Sequence, residues 1–156
     1  MGKLEYKLVK KGDESIFYLS GKIDEDFRRK DLNLDGLTNV TFNFKDLGMI
    51  NSCGIREWID FLKAQPSNMV LKYEECTPII VTQMNIIAGF LPENVKVTSF
   101  YAPYFDTEDE SESLHLINTK DISGALPPIV LNAAGKKLDF DAHPEKYFHF
   151  LKINKV

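Results

Sequence analysis

Four consecutive residues, Asn51-Ser52-Cys53-Gly54, put a hydroxyl and a thiol immediately ahead of a helical hydrophobic pattern. Ile55, Trp58, Ile59 and Leu62 recur at i, i+3, i+4 and i+7, so the segment predicts an amphipathic helix, with Asn51 and Ser52 where its N-cap belongs. The unpaired N–H groups and the positive dipole end of such a helix favour an anion. A phosphate esterified to Ser52 would add roughly −1.5 to −2 charges and three acceptor oxygens there, changing surface charge without unfolding the domain. The plainer alternative is that Ser52 serves only as an N-cap, a role worth about 1 kcal/mol.

The remaining reactive side chains form no catalytic or metal-binding pattern. Cys53 and Cys76 are the two cysteines of the chain, too few for a disulfide framework or a four-thiolate zinc site. Two reduced, partly buried thiols are the simplest reading, with a single bridge left open, and Cys53 reads as a small packing residue. His115, His143 and His149 lack metal-ligand spacing. The acidic run Asp106-Thr107-Glu108-Asp109-Glu110-Ser111-Glu112 has no calcium-loop glycine and reads as a solvated turn. There is no Gly-rich phosphate loop and no nucleophile with an evident base, so the sequence predicts a protein that is not an enzyme and carries no cofactor and no metal.

The elements that must hold Ser52 follow from periodicity. Leu4, Tyr6 and Leu8 alternate with charged residues, and after Gly12-Asp13 the run Ile16-Phe17-Tyr18-Leu19 closes an opening hairpin. Asp24 to Leu37 suits a short, weakly amphipathic helix followed by a loop at Asp35-Gly36. Val40 to Phe44 reads as a central strand, followed by a turn over 46–50 and the Ser52 helix. Met69 to Tyr73 is a further strand. Thr77-Pro78 then opens a second helix that Gly89 ends, and Val95 to Phe100 is another strand. The sum is an α/β fold: a mixed sheet of about five strands with helices packed on it. A domain boundary is expected at Phe105, giving regions 1–105 and 106–156. The second region, with its apolar residues from Leu114 to Leu151, predicts two or three short strands and a terminal helix docked on the first. Tyr147, Phe148, Phe150 and Leu151 read as part of that packing rather than as a partner patch.

The segments Leu19-Ser20-Gly21-Lys22-Ile23-Asp24 and Asp46-Leu47 to Asn51-Ser52-Cys53-Gly54, in this order and within this alternation of elements, resemble the STAS domain, whose soluble bacterial members are the anti-sigma-factor antagonists. The resemblance covers about the first 100 residues. It implies a partner-switching protein that binds an anti-sigma factor which is also a serine kinase and is released when its serine is phosphorylated. On that resemblance Ser52 matches the phosphorylated serine, Gly54 the glycine at the close approach and Asp24 the neighbouring acidic residue. The expected partner surface is Lys22, Asp24, Asn51, Ser52, Cys53, Gly54 and Arg56. Asn51 stands where the family usually has Asp, and Cys53 where it often has Ser, Thr or Ala. Beyond residue 100 the chain is similar to STAS proteins that carry a zinc ribbon, but the knuckles expected at 106–109 and 131–134 hold no cysteine. A metal-free remnant held by packing is therefore expected.

Composition limits the partners. The chain has 156 residues, 44% hydrophobic and 12% aromatic, enough for one real core. Its 19 Lys and Arg against 23 Asp and Glu leave a net charge of −4 and no basic excess for nucleic acid. No apolar run approaches the roughly 20 residues of a membrane helix, and Met1 to Lys11 is too polar for a signal-peptide core. A cytoplasmic protein whose partner is another protein is expected, with homodimer formation left open. A non-phosphorylated scaffold of the same fold, or a module that binds a small ligand, is the alternative.

Overall fold

Period-two and period-3.6 hydrophobic patterns alternate along this chain, and the computed structural model, which describes residues 2–153, turns them into an α/β fold with two sheets. Met1 and residues 154–156, the end of the region expected from 106, lie outside the described residues.

The first sheet has five strands in sequential order: β1 (Glu5–Lys11), β2 (Glu14–Ile23), β3 (Asn39–Ile50), β4 (Val70–Glu74) and β5 (Val95–Val97). β1 and β2 form the expected antiparallel hairpin, and β2, β3, β4 and β5 pair in parallel. Two parallel crossovers carry α1 (Ser52–Lys63) and α2 (Pro78–Ile86). Right-handed connections between strands that advance in one direction put both helices on one face.

Alternation along β3 sets the two faces of the sheet. Phe42 and Phe44 are fully buried toward α1, where the Trp58 ring lies 5.0 and 5.8 Å from theirs. Phe61, Phe27 and Tyr73 complete an aromatic cluster with Trp58 at its centre. Trp58 Nε1–H donates to the Tyr73 hydroxyl at 2.9 Å, and that hydroxyl donates to the Phe90 carbonyl at 2.7 Å, so the two buried polar groups are satisfied. Burial pushes the Tyr73 phenol above its ordinary range. Thr41 and Asn43 point to the other face. Thr41 Oγ1 donates to Glu14, and the buried Asn43 amide donates to Glu74 and Glu75 at 2.8 and 2.5 Å. Tyr101 donates to Glu75 as well, and burial followed by that carboxylate pushes its phenol up to about 12.

Two local expectations change. Residues 24–37 contain a single turn of 3-10 helix, Arg29–Asp31, in place of the expected short amphipathic helix. Side chains here satisfy the backbone locally: Asp24 Oδ1 accepts from Asp26 N–H, and Arg28 donates to the carbonyls of Glu25 and Phe27. Such bonds compete with a helix. The residues expected as a turn at 46–50 extend β3, because β2 continues alongside through two register shifts to the Ile23–Ile50 pair.

The strand expected over 95–100 divides. β5 stays in the first sheet, whereas β6 (Ser99–Asp106) becomes the centre of a second, antiparallel sheet between β7 (Ser111–Asn118) and β8 (Asp139–Phe140). Position 105 thus lies inside β6. Beyond it, α3 (Pro144–Tyr147) and α4 (His149–Ile153) close the described chain. Phe148 and Phe150 cover Phe100 at ring separations of 6.0 and 5.0 Å, and both are buried, as is Tyr147. The Asn85 amide on α2 donates to the Tyr147 carbonyl at 2.9 Å and accepts from Phe150 N–H at 2.8 Å.

Candidate functional site

The helix predicted from Ile55, Trp58, Ile59 and Leu62 starts at Ser52, and a single side chain terminates it on that end. Asn51 is extended, at φ −119° and ψ 177°, and its Oδ1 accepts the Gly54 N–H at 3.0 Å. Of the two adjacent residues that could cap the helix, Asn51 is the one that does. Ser52 is instead the first helical residue and is exposed, and among the described residues its hydroxyl has no hydrogen-bond partner.

Behind this turn the helix is pressed against the end of β2. A Cβ on Gly54 would stand 2.1 Å from the Ile23 carbonyl oxygen, so only glycine fits. The same carbonyl accepts the Asn51 N–H at 3.2 Å, which fixes the cap to the strand. Asp24, the next residue, is 2% exposed. The Asp26 N–H holds its carboxyl below the usual carboxylate range, helped by the Lys22 ammonium 3.2 Å away and opposed by burial. Asp24 and Gly54 therefore support the site from beneath, and Lys22 is engaged with Asp24. Asn51, Ser52, Cys53 and Arg56 form the accessible part.

Glu25 was not singled out by the sequence. Its carboxylate accepts from Asn51 Nδ2 at 2.8 Å, and that bond, ahead of any other influence, holds its pKa low. A fixed negative charge thus sits one residue away from Ser52. A second unforeseen feature is a shallow groove beside α1, floored by Ile55, Ile59 and Ile87, with Ser52, Arg56 and Lys63 around it. The helical spacing offers Ile55 and Ile59, but Ile87 follows α2 and reaches the groove only through the crossover.

The cap makes a quantitative expectation. Asn51→Ala should lower the unfolding free energy by about 1 kcal/mol in urea denaturation. It should also let the Glu25 carboxyl rise toward its ordinary pKa in an NMR titration, because the donor that depresses it is gone. An unchanged Glu25 titration would contradict this placement of the Asn51 amide.

Cys53 is exposed and Cys76 is fully buried, and both are free thiols, which closes the bridge left open by the sequence. Burial pushes the Cys76 thiol up, so it is a packing residue. In the second sheet, the turns at 106–110 and 131–135 face one another through Asn132 Nδ2, which donates to Asp106 at 3.1 Å, and through a Lys136–Glu108 ion pair. Among the described residues no three His, Cys, Asp or Glu side chains are placed to share a metal ion, and no helix is long and apolar enough to cross a membrane. No protein-family model matches the chain, and no curated protein matches it.

Proposed function

We propose that the chain is a partner-binding regulatory protein of the anti-sigma-factor-antagonist type. It docks a protein partner, an anti-sigma factor that is itself a serine kinase, on the start of α1, and phosphorylation of Ser52 releases that partner. The observation that carries this reading is the exposed Ser52 hydroxyl, freed from capping by Asn51 and set at the positive end of a helix beside an apolar groove. A phosphate at the first helical position gains about 0.3–1 kcal/mol from the helix end, so the folded domain tolerates it. The same charge at the centre of an interface would have to be desolvated, and a partner without a basic group to meet it is repelled. Lys22, Asp24 and Gly54 shape the site, Asn51 and Cys53 flank the serine, and Arg56 lies one turn along the helix. No residue has a catalytic role.

Glu25 favours a second reading. Its carboxylate, bonded to Asn51, puts a negative charge near the start of α1, and that charge opposes a phosphate there. On that reading the site is a constitutive docking surface that is never phosphorylated. Intact-mass and peptide mass spectrometry of the protein isolated from its own cells separates the two. A phosphate adduct mapped to Ser52 supports the switch. An unmodified Ser52 across growth conditions overturns it in favour of the constitutive scaffold.

A further inference from the structure

The second sheet ends in a free strand whose chemistry differs from that of the other long edge of the molecule. β7 is eight residues long, Ser-Glu-Ser-Leu-His-Leu-Ile-Asn, and among the described residues pairs only with β6. Its hydrogen-bonding phase can be read from two facts. Cys76 N–H donates to the Ser99 carbonyl at 3.2 Å and Tyr101 N–H donates to the Cys76 carbonyl at 2.8 Å, so 99 and 101 turn away from β7, Phe100 turns toward it, and two residues at a time the positions of β7 bonded to β6 are 117, 115, 113 and 111. Pro103, which has no N–H, lies opposite Leu114, a non-bonded position, as this phase requires. Glu112, Leu114, Leu116 and Asn118 therefore turn both N–H and C=O outward from the sheet.

Such an edge is a template for another strand, and natural edges usually carry lysine or proline to prevent it. β1 does so: three of its seven residues are Lys7, Lys10 and Lys11. β7 contains no Lys, Arg or Pro, and Leu114 and Leu116 on its outward-bonding positions are 52% and 46% exposed. The pattern is also self-complementary. A twofold axis at His115 pairs the outward positions as Leu114 with Leu116 of the second copy and Glu112 with Asn118 of the second copy. Apolar side chains then meet apolar ones, a carboxylate meets an amide donor, and no like charges face each other among the outward positions.

We infer that a second copy of this chain pairs antiparallel along β7, joining the two small sheets into one continuous six-stranded sheet across a twofold axis. The inference rests on the second sheet alone and is independent of Ser52.

Equilibrium sedimentation of the full chain should give twice its 17.8 kDa mass. The double variant Leu114→Lys, Leu116→Lys, with both substitutions on exposed positions, should sediment as the monomer. Cross-linking provides a second arm that does not depend on weakening the interface. His115 sits on the axis at a non-bonded pair, where Cα atoms across the strands are about 4.5 Å apart, within disulfide range. In a Cys53→Ala background, His115→Cys should form a disulfide-linked dimer on mild oxidation, whereas Lys7→Cys on the β1 edge should not. A monomeric wild type, a lysine variant that still dimerises, or a His115→Cys protein that stays reduced would each overturn the proposal.

Discussion

Trp58→Ala is expected to lower the unfolding free energy by about 4 kcal/mol, the middle of the range for removing a large buried aromatic. Trp58 has no exposed surface, and its ring lies within 6.5 Å of the rings of Phe27, Phe42, Phe44, Phe61 and Tyr73. Five aromatic neighbours cannot all close in on one void without leaving their rotamers, so much of the cavity should persist. The indole also accounts for a hydrogen bond. Without it the Tyr73 hydroxyl still donates to Phe90 but loses its donor partner at 2.9 Å. Guanidinium denaturation followed by circular dichroism is the suitable measurement, because the only tryptophan is the one removed. A loss below about 1 kcal/mol would mean that the site repacks freely, contrary to the close packing described for proteins generally.

Gly54→Ala should cost about 3 kcal/mol, at the upper end of ordinary overpacking. The intrinsic helix preference runs the other way, favouring alanine over glycine by about 1 kcal/mol. The clash wins because the added methyl meets backbone, with Ile23 O at 2.1 Å, Ile23 C at 2.4 Å and Asp24 N at 2.7 Å, and none of these can rotate aside. Relief requires α1 to lift off the end of β2, which breaks the Asn51 N–H bond to Ile23. The substitution should therefore raise hydrogen exchange at Asn51 as well as lowering the denaturation midpoint. Cys53→Ala, one residue earlier on the exposed side, is the control and should stay within about 0.5 kcal/mol of wild type. A stabilising Gly54→Ala would refute the contact between helix and strand.

How much of this was legible beforehand differed from segment to segment. α1 and α2 announce themselves because their evidence is local: four apolar residues at helical spacing in one, and Thr77-Pro78 at the start of the other. β3 is legible only in its first half, since Phe42 and Phe44 alternate with Thr41 and Asn43 whereas Lys45 to Ile50 owe their strand conformation to β2 running beside them. A pairing partner more than twenty residues away leaves no local mark. In the segment 24–37 the local pattern misleads for the opposite reason: Asp24 and Arg28 bond to nearby backbone groups, and the sparse apolar residues plug the core individually without forming a helix face. At the site, two cap-competent residues stood side by side, and only the bond from Gly54 to Asn51 distinguishes them. Glu25 and Ile87 join the site through tertiary contact and were invisible to spacing.

The Asn85 amide has a consequence for the order in which a growing chain can become itself. Its two bonds, to the carbonyl of Tyr147 and the N–H of Phe150, are made by residues 62 and 65 positions further along the chain, and the rings that seal Phe100 belong to the same later segment. During synthesis the five-stranded sheet can assemble while α2 still shows water an unsatisfied amide and a bare phenylalanine beneath it. Both are covered by one later segment, so the amide and the ring are sealed in a single docking event that follows assembly of the sheet.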